Sequence, residues 1–256
     1  MIKQVKPHQT QTGFTLVEIA IVLLIVTLLL TGLVPTISSQ IEQRQTSDTR
    51  KQLDEIQQAL IGYAITYGRL PCPASNTSNG VESDLPIGSG TCDHSWDGFV
   101  PAATLGIATI VDSKGNKGFA VDSWGNRIHY AVTSWNGNTF TKPPPNGMSS
   151  VGISNLNPDL LVCASGTATG FSPSSCGTNN ALTANPGVPV VIFSTGKNGG
   201  YGGTGTDEAR NLDNDRVFVS HEPAPSSAAN GEFDDIVIWI SPNVLVNRMV
   251  AAGKLP

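Results

Sequence analysis

Apolar residues run from Phe14 to Val34 with Glu18 the one charged residue among them, and the run stops at Pro35. At about 1.5 Å per residue this makes a helix of roughly 31 Å, close to a bilayer core of about 30 Å. The pattern therefore predicts a single membrane-anchoring helix. A carboxylate inside such a span costs about 2.5 to 3.5 kcal/mol on insertion scales, so Glu18 requires compensation. Past Pro35 the pattern changes to Ile37 and Ile41, a polar stretch over 42–52, and then Leu53, Ile56, Leu60, Ala64 and Tyr67 at steps of three and four. That narrow stripe predicts an amphipathic stalk helix with one face packed on a sheet. Gly68 and Pro71 end it near Tyr67.

The remainder reads as loops and short strands. Residues 72–116 are rich in Pro, Gly, Ser and Asn, with one short helical turn expected at Ala102–Leu105. Residues 128–134 alternate in the manner of a strand with one buried face, and 159–164, 188–194, 216–220 and 233–240 read as further strands. No helical period separates the later strands, which predicts an antiparallel sheet. Ser241-Pro242 supplies a cap and a first-turn proline for a short terminal helix over 244–252. The fold class expected is α+β, a long N-terminal helix packed on an antiparallel sheet, with long loops and a short C-terminal helix. Its divisions fall at 1–13, 14–35, 36–69 and 70–256.

Composition sharpens this picture. Charged residues make up 14% of the 256 residues, against a usual share of about 25%. With 27 Gly and 17 Pro the long loops are expected to be ordered. The formal charge is −5 and no run of Lys or Arg occurs, so an electrostatic nucleic-acid surface is unsupported. Residues 1–13 carry Lys3 and Lys6 without an apolar core, unlike a secretory signal peptide. Basic residues before the span, and none after it until Arg44, place the N-terminus in the cytoplasm and the bulk of the chain outside it. The four cysteines allow three pairings. The local ones, Cys72 with Cys92 and Cys163 with Cys176, each close one loop and suit an exported domain; reduced thiols in a cytoplasmic domain are the alternative.

Gly13-Phe14-Thr15-Leu16-Val17-Glu18 resembles the processing site of type IV pilins and type II secretion pseudopilins, and Pro35 falls where that family usually kinks its helix. The resemblance implies that a prepilin peptidase cuts between Gly13 and Phe14 and methylates the new amino terminus. It further implies partners: other pilin or pseudopilin subunits and an inner-membrane assembly platform. The chemistry makes sense of Glu18. Cleavage creates a cationic amine on Phe14, four residues before Glu18 and on the same helical face. A helix N-terminus also favours a nearby anion. In a filament core the carboxylate would be desolvated and would need a neighbour's amine, which makes Glu18 a register pin. Gly13 and Phe14 are thus the processing residues, and Phe14, Glu18 and Pro35 the assembly residues.

Two later segments extend the resemblance. Residues 122–130, beginning Asp122-Ser123-Trp124-Gly125-Asn126, are similar to the Asp-Pro-Trp-Gly-Asn segment of major pseudopilins. Residues 196–207 are similar to their glycine-rich loop, which in that family helps to hold calcium. The departures are Ser123 in place of the proline, Lys197-Asn198 in place of Ala-Asp, and Ala209 where a second loop acid is expected. Candidate calcium ligands are then Asp207, Asp213 and Asp215. Six to eight oxygens are needed, and Asp, Asn and Gly are also the ordinary residues of turns.

No constellation supports an enzyme. Val191 stands where a phosphate-binding loop would need its first glycine before Gly196-Lys197, and no Gly-x-Ser-x-Gly elbow occurs. His94, His129 and His221 lack a metal spacing. Trp96, Trp124, Trp135 and Trp239 could suggest a sugar platform, but Trp124 and Trp239 lie in or beside predicted strands and are expected to serve the core. Asp234 and Asp235 are adjacent, so within a strand they face opposite sides. The function expected is a structural subunit of a type II secretion pseudopilus or a type IV pilus. Alternatives are a minor subunit whose loops at 72–116 and 136–158 form an adhesive or cargo-binding surface, and, least supported, a membrane-anchored periplasmic enzyme.

Overall fold

The computed structural model describes residues 13–107, 115, 117–199 and 205–256, without the side chains of 30–38. The chain divides into two compact units, Met1–Gln45 and Thr46–Pro256. Helix α1 (Leu16–Tyr67) contributes residues to both.

In the first unit the described apolar side chains of α1 face solvent all round, from Leu16 at 87% exposed to Leu29 at 62%. Among the described residues no helix is long and apolar enough to cross a membrane. The described side chains of this run stop at Leu29, short of the Val34 end read from the sequence, and Pro35 with its expected kink lies outside them.

In the second unit the expected stripe is buried: Leu53, Ile56, Leu60 and Ala64 are fully inaccessible. Tyr67 is not, being 56% exposed, and Tyr63 takes the inner position one turn earlier. Gly68 ends the helix with a left-handed φ of 72° and donates its N–H to the Ala64 carbonyl.

The stripe packs on a four-stranded antiparallel sheet. Its strands are β1 (Gly98–Phe99), β2 (His129–Val132), β6 (Val190–Ser194) and β8 (Ile236–Ile240), in that spatial order. Both faces are covered, where one was expected for β2. Tyr130, Val132, Val190, Ile192, Ile236 and Ile240 join α1 in one core. The alternating residues Ala131, Val191, Phe193 and Val237 join Leu160, Val162 and Phe218 in a second. The period of two thus sorts each strand between two cores, and central β6 is buried along its whole length.

Strands β3 (Leu161–Cys163) and β7 (Val217–Val219) supply the second layer and pair in parallel, Leu161 opposite Val217. This departs from the all-antiparallel expectation. A parallel pair needs a long crossover, and the chain between them provides one. It includes the hairpin β4–β5 (Phe171–Ser172 and Ser175–Cys176), β6, and helix α5 (Thr206–Asn211). The disulfides Cys72–Cys92 and Cys163–Cys176 are the two local pairings. Short turns of helix occur at α2 (Ala102–Leu105), α3 (Trp135–Asn138) and α4 (Met148–Val151). The terminal helix α6 (Pro242–Ala251) buries Leu245 and Met249 against the first core.

Candidate functional site

At the amino end, residues 13–15 are non-helical and α1 begins at Leu16. Phe14 is 83% exposed, and nothing beyond its chain neighbours lies within 4 Å of where a Gly13 Cβ would stand. The Gly13–Phe14 bond is therefore open on the described side. Thr15 closes the helix start. Its hydroxyl oxygen accepts the Glu18 N–H at 3.3 Å, while Glu18 Oε2 accepts the Thr15 N–H and the Thr15 hydroxyl at 3.0 Å each. This reciprocal capping box gives the Glu18 carboxylate partners within its own helix. Thr15 was not singled out from the sequence, although the Thr-x-x-Glu spacing carries the signal.

A second cluster forms where the glycine-rich loop meets the start of β8. The Asp-Ser-Trp-Gly-Asn turn holds the loop in place. Asp122 Oδ1 accepts the N–H groups of Trp124 and Asn126 at 2.9 and 2.8 Å, and Oδ2 accepts the Ser194 hydroxyl at 2.6 Å. Asn126 then donates to the Gly196 carbonyl at 2.7 Å. Burial nonetheless holds the Asp122 carboxyl above its ordinary range.

Gly196 has a φ of 60°, and a Cβ there would come within 2.3 Å of Asp234 Oδ1. Only glycine permits that approach. Asp234 Oδ2 accepts the N–H groups of Lys197 and Asn198 at 2.9 and 3.1 Å. Glu208, fully buried on α5, accepts the Asn198 amide at 3.0 Å and the N–H of Gly205 at 3.1 Å.

Glu208, Asp234 and Asp235 each place a carboxylate oxygen within 4.8 Å of the others. Burial, with Glu208 and Asp234 adding their charges, pushes Asp235 up to about 8 despite its hydrogen bond from Asn211. Burial followed by Glu208 pushes Asp234 up to about 6. Asn198 Oδ1 and Asp234 Oδ1 are buried and accept no hydrogen bond among the described residues. Three clustered acids, one of them with an orphaned oxygen, and the orphaned Asn198 amide oxygen are donors of the type that a hard cation takes.

The acids expected from the loop are not gathered in this way. Asp207 Oδ1 accepts the Gly166 N–H at 2.6 Å, and Oδ2 accepts the Asn230 amide at 2.9 Å with His221 Nε2 at 3.2 Å. Asp213 pairs with Arg210 at 3.5 Å. Asp215 accepts the Val217 N–H at 2.6 Å, and burial pushes it up to about 6. Asp213 and Asp215 lie beside each other, and among the described residues these three carboxylates do not converge as Glu208, Asp234 and Asp235 do. Asp234 and Asp235 were set aside in the sequence because adjacent strand residues diverge. The strand starts at Ile236, so both acids precede the alternation and turn to one cluster.

The other histidines among the described residues are engaged. His129 stacks on Phe193 at 4.6 Å, and burial with the Arg127 charge pushes its imidazole down to about 4. His94 lies between Asp93 and Asp97, at 3.3 and 3.2 Å.

Neither the curated proteins nor the solved structures contain a match to this chain. Residues 8–34 match the family model of the prokaryotic N-terminal methylation motif, and the chain thereby carries the signature of type IV pilins and pseudopilins.

Proposed function

We propose that this chain is a pilin-like structural subunit of a type II secretion pseudopilus or a type IV pilus-like filament. A prepilin peptidase cleaves it between Gly13 and Phe14 and methylates the Phe14 amine. Before assembly it sits in the inner membrane with its N-terminus cytoplasmic and residues 70–256 periplasmic. It then joins other subunits on an assembly platform. The observation that carries this reading is the methylation motif over 8–34, supported by a capped, exposed Glu18 beside the open Gly13–Phe14 junction. In a filament core the Glu18 carboxylate exchanges the Thr15 hydroxyl for a neighbouring subunit's amine, because a buried charge needs a charged partner. Mass spectrometry of the native N-terminus, together with recovery of the chain in sheared filaments, tests this. A mature chain that begins with methylated Phe14 is expected; an intact Met1 or a cut elsewhere rejects it.

A calcium ion is a second element of the reading, favoured by the orphaned oxygens of Asn198 and Asp234. Asp234, Asp235, Glu208 and Asn198 are the side chains that would hold it, and the ion would neutralise the buried acids. Calcium should raise the melting temperature of the full chain, and Asp235→Asn should remove that response. A melting temperature unmoved by calcium and by chelator rejects the site.

A further inference from the structure

A different feature lies on the second unit and shares no residue with the acidic cluster. A cavity of about 410 Å³ opens between the segment Asp93–Asp97, Ser134 just after β2, and Asn214 between α5 and β7. Its volume falls within the range of small-molecule sites, about 300 to 1,000 Å³. Its wall is held from three directions. Cys92 is tied to Cys72, the Ser95 carbonyl accepts the Val132 N–H of β2 at 2.8 Å, and Trp96 packs against the core that includes Leu160, Val162 and Phe218.

We propose that this cavity binds a neutral saccharide, with Trp96 as the stacking wall. The lining decides the chemical class. It contains carboxylates, an imidazole, hydroxyls, an amide and an indole, and no Lys or Arg. An anionic ligand would meet Asp93 and Asp97 with no cationic side chain other than His94 to answer it. An ammonium group offers donors only and would compete with His94, which already faces both carboxylates at 3.3 and 3.2 Å. A sugar ring offers hydroxyls that both donate and accept, and an apolar C–H face that lies against an aromatic ring. The side chains of Ser95, Ser134 and Asn214 make no hydrogen bond among the described residues, so their donors and acceptors are unspent. Sugar hydroxyls donate to Asp93 and Asp97 and accept from Asn214 and the serines. This inference does not rest on filament assembly.

The full chain, solubilised in a zwitterionic detergent without a sugar headgroup, is applied to an array of neutral, sialylated and sulfated glycans. Calorimetry with the free oligosaccharides then follows. Binding confined to neutral glycans is expected. Trp96→Ala should weaken it about tenfold or more, a change of about 1.4 kcal/mol, and Asp93→Asn several-fold with the melting temperature unchanged. Asp93→Asn and Asn214→Gly alter exposed side chains and keep the test intact if Trp96→Ala fails to fold. Absence of binding to any glycan, a preference for the anionic ones, or neutral-glycan affinity unchanged by Asp93→Asn and Asn214→Gly overturns the proposal.

Discussion

The two parts of α1 share a secondary structure and differ in what their side chains meet. Near its start Ile21 and Leu24 are 53% and 61% exposed, whereas farther along Leu53, Ile56 and Leu60 are wholly buried. An apolar helix with no polar face cannot be satisfied by one neighbour. A one-sided stripe needs only the sheet on which it packs. The comparison teaches that the stalk is a folding element, whereas the start of α1 adds little to the fold and is the assembly element of the proposed function, so substitutions in the two parts should separate stability from assembly.

The sharpest break is Glu18→Val. It should leave cleavage and membrane insertion intact while removing the chain from filaments, because a desolvated amine left without its carboxylate costs about 3 to 5 kcal/mol. Filament yield after shearing measures this, and an undiminished yield would count against the assembly role. Leu60→Ala tests the other side, with an expected loss of about 2 to 5 kcal/mol of stability. Leu24→Ala should stay within about 0.5 kcal/mol in the same denaturation experiment.

The acidic cluster gives a pH signature confined to the second unit. An unfolded Asp titrates near about 3.9, whereas folded Asp234 and Asp235 are raised to about 6 and about 8. Between those limits the folded state holds more protons than the unfolded one. Stability of the calcium-free chain should therefore fall as pH rises from about 4 to 8, and calcium should offset the fall. Asp235→Asn should flatten the slope in melting curves across that window. The most local effect belongs to Thr15→Val, which removes the capping hydroxyl. About 1 kcal/mol of local helix stability should be lost, read as faster amide exchange at Leu16–Glu18 with the global melting temperature unchanged.

Much of the fold was legible because it is written in local periods. The stripe from Leu53 to Ala64, the stop at Gly68, the turn at Ala102–Leu105 and the Ser241-Pro242 helix start all appear where the spacing puts them. Tyr67 misled because a stripe continued at the same step meets no sheet at the helix end. Strands β2, β3, β6, β7 and β8 were legible within a few residues, whereas β1, β4 and β5, two residues each, are too short to show an alternation, and no strand's partners could be read. The parallel pairing of β3 with β7 depends on a crossover whose path no local pattern encodes.

The site divides in the same way. Gly13, Phe14 and Glu18 lie within one helical turn and its approach, so sequence proximity is spatial proximity, and adjacent residues alone determined the methylation motif. The acidic cluster joins Asn198 to Asp234 across 36 residues of chain. The strand boundary at Ile236 and the left-handed Gly196 decide which acids meet. Backbone periodicity sets which face a side chain takes within one element. Only packing between distant elements decides which carboxylates are driven together out of water.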